Sequence, residues 1–467
     1  MLDIAEDSLA RIEDLDPGVH AFLHVDRDHV LAQARAIDSR VKSGDREGAL
    51  LGVPVAIKDN LCIAGLPTTC ASRILEGYRP TYDATVVERL RAAGALLIGK
   101  TNLDEYAMGA STENSAWFPT RNPHDLKRVA GGSSGGSAAA IASGMALCAL
   151  GSDTGGSVRQ PASFCGLTGL RPTYGLVSRY GLVAFASSLD QVGPLALNAE
   201  DTEILLSVIA GPDARDSTCR TRPLAEYRRD LPGLRGVRIG APPQYESDAI
   251  DRPVRQAMAR LRAALEEAGA EFVRVDLPLT DYAIPTYYLV VTSEASSNLA
   301  RFDGVRYGPR SEGADLADLY RRTRGRGFGD EVKRRIMLGT FALSSGYYDA
   351  YYKKALQVRQ MIAREFDAAF SKVDFILGPT APTPAFNIGE KSSDPLQLYL
   401  CDVFTAPSSL AGIPGLSVPV GFTESRLPIG AQILGPPGSD FRILRLARDV
   451  ERLLGIENRP AEVSRGA

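Results

Sequence analysis

Glycine crowds the stretch from residue 131 to 193, where two glycine–serine turns, 131–136 and 151–156, flank a small-residue helix and the apolar run Ala146 to Leu150. Glycine lets a backbone take conformations closed to other residues and lets other groups approach it closely. Chemistry is therefore sought in this stretch. Its frame comes from upstream: a strand-like Val53 to Ile57 ends at Lys58-Asp59-Asn60, and a helical stretch, Ala84 to Ala93, feeds the apolar run Ala95 to Ile98. Strand, crossover helix and strand predict a parallel sheet in an α/β chain.

The remaining chain extends this frame. Residues 1–45 read as a helical lead-in of two helices, broken at Pro17-Gly18 and resumed through Val30, Ala34, Ile37 and Val41. Residues 50–195 hold the glycine-rich core. Residues 200–370 are richer in charge and helical pattern, including Val254 to Ala268 and Tyr347 to Phe370, and read as covering helices. Residues 371–467 return to the sheet with short strands at Val373 to Leu377, Leu416 to Val420 and Gly430 to Ile433, then a helix from Phe441 to Leu454. At 467 residues a length prior suggests about three domains, but large α/β chains often form one unit, and a single domain over 1–467 is expected.

Composition excludes several classes of function. The net charge is -3, so no global positive field holds a polyanion. Arg321, Arg322, Arg324, Arg326, Lys333, Arg334 and Arg335 form a local basic cluster of the kind usually found on solvated helix faces. The six cysteines form no C-x-x-C pair, which predicts reduced thiols and a cytoplasmic protein. The N-terminus is acidic, without the apolar region of a signal peptide, and the best apolar run, Ala138 to Leu150, is interrupted by Ser143 and Gly144. Neither a secretory leader nor a membrane span is predicted.

Two motifs mislead. Gly94 to Thr101 spells a phosphate loop, but its four spacer residues are apolar and read as a strand, whose N–H groups are already paired. Gly131-Gly-Ser-Ser-Gly135 spells the nucleophile elbow of α/β-hydrolases, whose histidine follows the serine in the chain. Here the four histidines are at 20, 24, 29 and 124, all before it. Zinc is equally unexpected, because His and Cys do not cluster at usable spacing.

His20, His24 and His29 sit in the helical lead-in and His124 in a loop after Asn122-Pro123, so lysine is the main candidate for a base, since burial can bring its pKa toward neutrality. Lys58 closes an apolar strand and is placed where a sheet can desolvate it. Ser133, Ser134 and Ser157 are candidate nucleophiles in the glycine-rich turns. Consecutive backbone N–H groups at Thr154, Gly155 and Gly156, just before a helix begun by Val158-Arg-Gln-Pro161, form a nest suited to an oxyanion.

These residues resemble the amidase signature family: Gly131-Gly-Ser-Ser-Gly-Gly-Ser-Ala-Ala-Ala140, Gly151-Ser-Asp-Thr-Gly-Gly-Ser-Val-Arg-Gln-Pro161 and Lys58 in Gly-Val-Pro-Val-Ala-Ile-Lys-Asp-Asn. The separations, 24 residues from Ser133 to Ser157 and 99 from Lys58 to Ser157, agree with the family. The resemblance implies an α/β/α fold on a large central mixed β-sheet, amide hydrolysis, Ser157 as nucleophile, Ser133 as a bridging serine after a cis peptide, and Lys58 as base.

Within that family, residues 287–308, 327–354 and 378–382 resemble the glutaminase subunits of tRNA-dependent amidotransferases. This narrower resemblance implies free glutamine as substrate, its carboxylate on Arg335, its ammonium on Asp402 and Tyr287 beside it; Arg334 and Tyr288 are adjacent alternatives. It also implies no cofactor in this chain. ATP and magnesium belong to a B subunit that acts on misacylated Glu-tRNA(Gln), Asp-tRNA(Asn) or both, and a small C subunit links the assembly. Two rival readings are a stand-alone hydrolase of small or aryl amides and a non-catalytic scaffold on the same fold.

Overall fold

The computed structural model describes residues 1–228, 231, 233–392, 394–456 and 459–463. Its strands are β1 (Phe22–His24), β2 (Pro54–Lys58), β3 (Leu96–Thr101), β4 (Arg121–Asn122), β5 (Asp125–Val129), β6 (Cys148–Asp153), β7 (Thr168–Arg171) and β8 (Gln191–Ala196). They continue as β9 (Arg238–Ala241), β10 (Glu271–Arg274), β11 (Phe375–Pro379), β12 (Gly415–Phe422) and β13 (Pro428–Leu434). β4 and β5 pair apart; the other eleven form one mixed sheet in the order β1-β3-β2-β6-β8-β7-β12-β13-β11-β9-β10.

β3, β2 and β6 are parallel neighbours, and the expected crossover helix Thr85–Ala92 joins β2 to β3. The run from Gly94 to Thr101 accordingly enters β3 and is ladder, not phosphate loop. From β6 to β11 the pairing is antiparallel, and β11, β9 and β10 are again parallel.

Every residue of β2, β3, β6 and β8 is buried, as in strands covered on both faces. Side chains alternate between two cores. Ala56, Leu96, Ile98 and Ala149 pack with Leu9, Val30 and the small-residue helix Gly135–Ala142. Val55, Ile57, Leu97 and Leu150 face Val87, Leu206 and Leu444 on the opposite layer. The result is the α/β/α arrangement expected from the resemblance.

Two expectations are corrected. The first helix does not break at Pro17-Gly18 but runs Leu2–Val19. Proline there removes one N–H, while Val19 is buried, Asp16 Oδ1 accepts the N–H groups of Ala21 and Phe22, and His20 ends the helix in the left-handed region. The segment 200–370 is not helices alone, because β9 and β10 extend the sheet. Each has four residues with partly exposed faces, so neither leaves an apolar run to read.

Candidate active site

Lys58 is the last residue of β2. Register with β6 pairs Ile57 with Leu150, which sets Lys58 beside Gly151 and Ser152 at the carboxyl ends of two parallel strands. The side chain is fully buried. Its Nζ lies 2.7 Å from Ser133 Oγ, 2.9 Å from Ser134 Oγ, 2.9 Å from Ser152 Oγ and 3.3 Å from the Ser152 carbonyl. Among the described residues its hydrogen-bond partners include no carboxylate. Burial therefore lowers its pKa from 10.5 to about 7, against the more distant pull of Asp104, Asp153 and Asp190. At neutral pH a substantial share of the amine is unprotonated and able to accept a proton.

The turn carrying Ser133 is built by its glycines. Gly131 has φ of +84°, and a Cβ there would come within 2.7 Å of Pro161 Cα. The Gly132 N–H donates to Gln160 Oε1 at 2.9 Å, and Gln160 Nε2 donates to the Ala110 carbonyl at 3.0 Å. The Gly132–Ser133 peptide is cis. Just after it, the Ser134 N–H donates to the Ser157 carbonyl at 3.1 Å, so the two glycine–serine turns are stitched together.

Asp153 ends β6 and anchors the second turn. Its Oδ2 accepts the Val158 N–H at 3.2 Å and Arg159 Nε at 3.0 Å, and its Oδ1 accepts Arg159 Nη2 at 2.9 Å. Burial alone would raise its pKa, but Arg159 and Arg171 hold it below the usual carboxylate value. Thr154 is fixed by its hydroxyl to Asp190 Oδ1 at 2.7 Å. Among the described residues no hydrogen bond occupies the backbone N–H groups of Thr154, Gly155 or Gly156, the condition an oxyanion nest requires.

Ser157 is 5% exposed, and its hydroxyl has no hydrogen-bond partner among the described residues. Of the two links expected in a proton relay, Lys58–Ser133 is a hydrogen bond and Ser133–Ser157 is not. Such links commonly tighten only around bound substrate.

Two residues of the expected glutamine clamp, Tyr287 and Asp402, lie against the same turn. A Cβ on Gly155 would meet Tyr287 Oη at 2.5 Å, and one on Gly156 would meet Asp402 Oδ1 at 2.8 Å. Tyr287 and Asp402 are both buried, Asp402 Oδ1 is without a hydrogen-bond partner among the described residues, and burial raises the Asp402 carboxyl to about 7. Tyr288 meets Tyr287 edge to face at 5.2 Å and lies 5.1 Å from the Arg335 guanidinium carbon. The two candidate arginines differ in burial: the Arg335 side chain is 3% exposed and the Arg334 side chain 44%. Tyr287 reaches the turn, and Tyr288 reaches Arg335.

Several residues at this site were not singled out from the sequence. Ser152, brought beside Lys58 only by the pairing of β2 with β6, also accepts from Asn60 Nδ2 at 2.9 Å. Arg159 is recognisable only through its contacts. Glu331, four residues before Arg335 on the helix Asp330–Leu343 and bonded to its Nε at 2.7 Å, could have been found from the i,i+4 spacing. The basic cluster is largely neutralised locally: Arg321 and Arg322 pair with Asp318, Lys333 with Asp330 and Arg334 with Glu331.

A larger surface cavity of about 880 Å³, with Arg128, Arg252 and Arg260 in its lining, includes none of the site residues. Among the described residues no group of three or more His, Cys, Asp or Glu side chains could hold a metal ion, and no helix is long and apolar enough to cross a membrane.

Residues 3–444 match the family model described as Amidase. Over 453 residues the chain is 56% identical to the A subunit of glutamyl-tRNA(Gln) amidotransferase from Carboxydothermus hydrogenoformans, covering 97% of this chain and 93% of that one. The crystal structure of the corresponding A subunit from Thermotoga maritima superposes with a TM-score of 0.82 at 45% identity, covering 99% of this chain and 94% of that chain. A bacterial aryl acylamidase of the amidase signature family superposes with a TM-score of 0.84 at 25% identity, covering 97% and 92%. A match along almost the whole length, with relatives identical at more than half of their aligned positions, makes this chain a member of the amidase family.

Proposed function

We propose that this chain is the glutaminase subunit of a tRNA-dependent amidotransferase, releasing ammonia from glutamine through an acyl-enzyme on Ser157. One observation carries the reading. A buried amine–hydroxyl pair, Lys58 and Ser133, shares a site with a guanidinium whose terminal nitrogens are unpartnered among the described residues and a carboxylate oxygen that lacks a donor. A free amino-acid amide meets all three needs: carboxylate to Arg335, ammonium to Asp402 and side-chain amide to the serines.

In the first step Ser157 Oγ bonds to the amide carbon. Its proton passes to Ser133 as Ser133 gives its own to neutral Lys58. The carbonyl π pair moves to oxygen, where the N–H groups of Thr154, Gly155 and Gly156 receive the oxyanion. As the tetrahedral centre collapses, the C–N bond breaks, and Lys58 returns the proton through Ser133 to the leaving nitrogen, freeing ammonia. Water then attacks the acyl-enzyme by the same relay and releases glutamate.

The relatives are named for one component of an amidotransferase, which supports a partnered enzyme. In this reading ATP and magnesium serve a B subunit that meets the misacylated tRNA and activates its carboxylate, a small C subunit joins the two, and the complex is cytoplasmic. Glu-tRNA(Gln), Asp-tRNA(Asn) or both receive the ammonia. Co-expression with the partner subunits tests the division of labour. Ser157→Ala should abolish amidation driven by glutamine while amidation driven by ammonium chloride persists. Undiminished glutamine-driven amidation in Ser157→Ala would defeat the proposal.

A further inference from the structure

We infer that Glu331, with Tyr399, is the positioning residue that makes this site select an amide bearing an α-carboxylate; this rests on the reading of Arg335 above and goes beyond it. Glu331 Oε1 accepts Arg335 Nε at 2.7 Å and the Tyr399 hydroxyl at 2.8 Å, while its Oε2 accepts from Arg334. Three rings surround the Arg335 guanidinium carbon: Tyr288 at 5.1 Å, Tyr399 at 5.3 Å and Phe185 at 5.7 Å. Tyr288 and Tyr399 are themselves stacked, with centroids 3.9 Å apart.

These contacts do different work. The rings restrict the plane of the guanidinium, and the carboxylate at Nε decides which of its edges remains open. A guanidinium can grip a carboxylate with two parallel bonds, either from Nε and one terminal nitrogen or from both terminal nitrogens. With Nε taken by Glu331, the terminal edge is left, and neither of its nitrogens has a hydrogen-bond partner among the described residues. Charges then alternate through the occupied site: Glu331 negative, Arg335 positive, ligand carboxylate negative, ligand ammonium positive, Asp402 negative. Without Glu331 a buried cation loses its counter-charge and is free to turn about its Nε bond. Because Glu331 bonds only to protein groups, its effect should fall on glutamine recognition rather than on the Lys58–Ser133 proton path.

The test compares Glu331→Gln, Tyr399→Phe and Arg335→Ala in the full-length chain assembled with its partner subunits, using glutamine kinetics and thermal midpoints. Calorimetric titration of glutamine onto each variant in a Ser157→Ala background gives affinity without turnover. Glu331→Gln should raise KM and Kd for glutamine at least tenfold with kcat within threefold of the parent, and Tyr399→Phe should raise both about threefold. Unchanged affinity in Glu331→Gln while Arg335→Ala loses affinity would overturn the inference and leave the glutamine reading standing. Unchanged affinity in Arg335→Ala would sink the glutamine reading and the inference with it. A parallel fall of kcat and thermal midpoint would mark Glu331 as merely structural and also overturn it. Should Glu331→Gln fail to fold, Tyr399→Phe decides by the same criteria.

Discussion

Burying Lys58 should be readable twice, in the pH dependence of catalysis and in that of stability. In the unfolded chain this lysine titrates near 10.5, and in the fold near 7. Below pH 7 both states hold the proton, so the cost of confining an ammonium is present in full. Between pH 7 and 10.5 the unfolded state binds more protons than the folded one, and stability rises with pH. At about 1.4 kcal/mol per pH unit, the recovery approaches 5 kcal/mol. Lys58→Met removes the titrating group, so urea unfolding of parent and variant at a series of pH values isolates it from the tyrosines and cysteines that titrate in the same range. The parent should gain on the variant by several kcal/mol from pH 7 to 10. In the parent, kcat at saturating glutamine should rise roughly tenfold from pH 6 to 8, because the neutral fraction of a group at about 7 grows from about a tenth to about nine tenths. Stability curves that stay parallel, or a kcat flat from pH 6 to 8, would refute the neutral-amine argument.

Other outcomes follow from the same geometry. The Asp402 carboxyl, raised by burial to about 7, must be ionised to hold an ammonium. Thus kcat/KM should fall more steeply with acid than kcat, and Asp402→Asn should remove the extra steepness while weakening glutamine binding. Gly155→Ala pushes a methyl to within 2.5 Å of Tyr287 Oη and should lower kcat/KM by about 100-fold or more, the scale of losing an oxyanion contact, with little change in far-UV circular dichroism. Asp153→Asn leaves Arg159 and Arg171 buried without their carboxylate and should cost about 3–5 kcal/mol in urea unfolding. Arg335→Ala forgoes charge-assisted bonds worth about 1.5–3 kcal/mol each and should raise the glutamine KM by about 100-fold, which steady-state ammonia release would measure.

Local pattern carried much of the fold. The crossover from β2 to β3, the terminal strands β12 and β13 and the helix Asp440–Leu454 follow from apolar runs and helical spacing. β9 and β10 escaped because four-residue, partly exposed strands bury too little to leave a periodic trace. The helix end at Val19 escaped because a capping contact from Asp16 and the burial of Val19 outweighed the proline penalty.

At the site, chain order excluded one kind of triad: with every histidine at or before residue 124, none follows the glycine–serine turns to complete the α/β-hydrolase arrangement. The spacing of Lys58, Ser133 and Ser157 and the two glycine turns are properties of the chain itself, since turn backbone and chemical identity are local. Only the tertiary structure decided that Lys58 is fully buried, because the segments packed around its amine, those of Ser133, Ser134 and Ser152 among them, lie 75 to 94 residues away. Likewise, Arg334 and Arg335 are adjacent and identical in a linear reading, but on a helix they point about 100° apart and meet different surroundings. Only Arg335 is enclosed by Tyr288, Tyr399 and Phe185, rings contributed by three other parts of the fold, and that enclosure is what favours it in the proposed clamp.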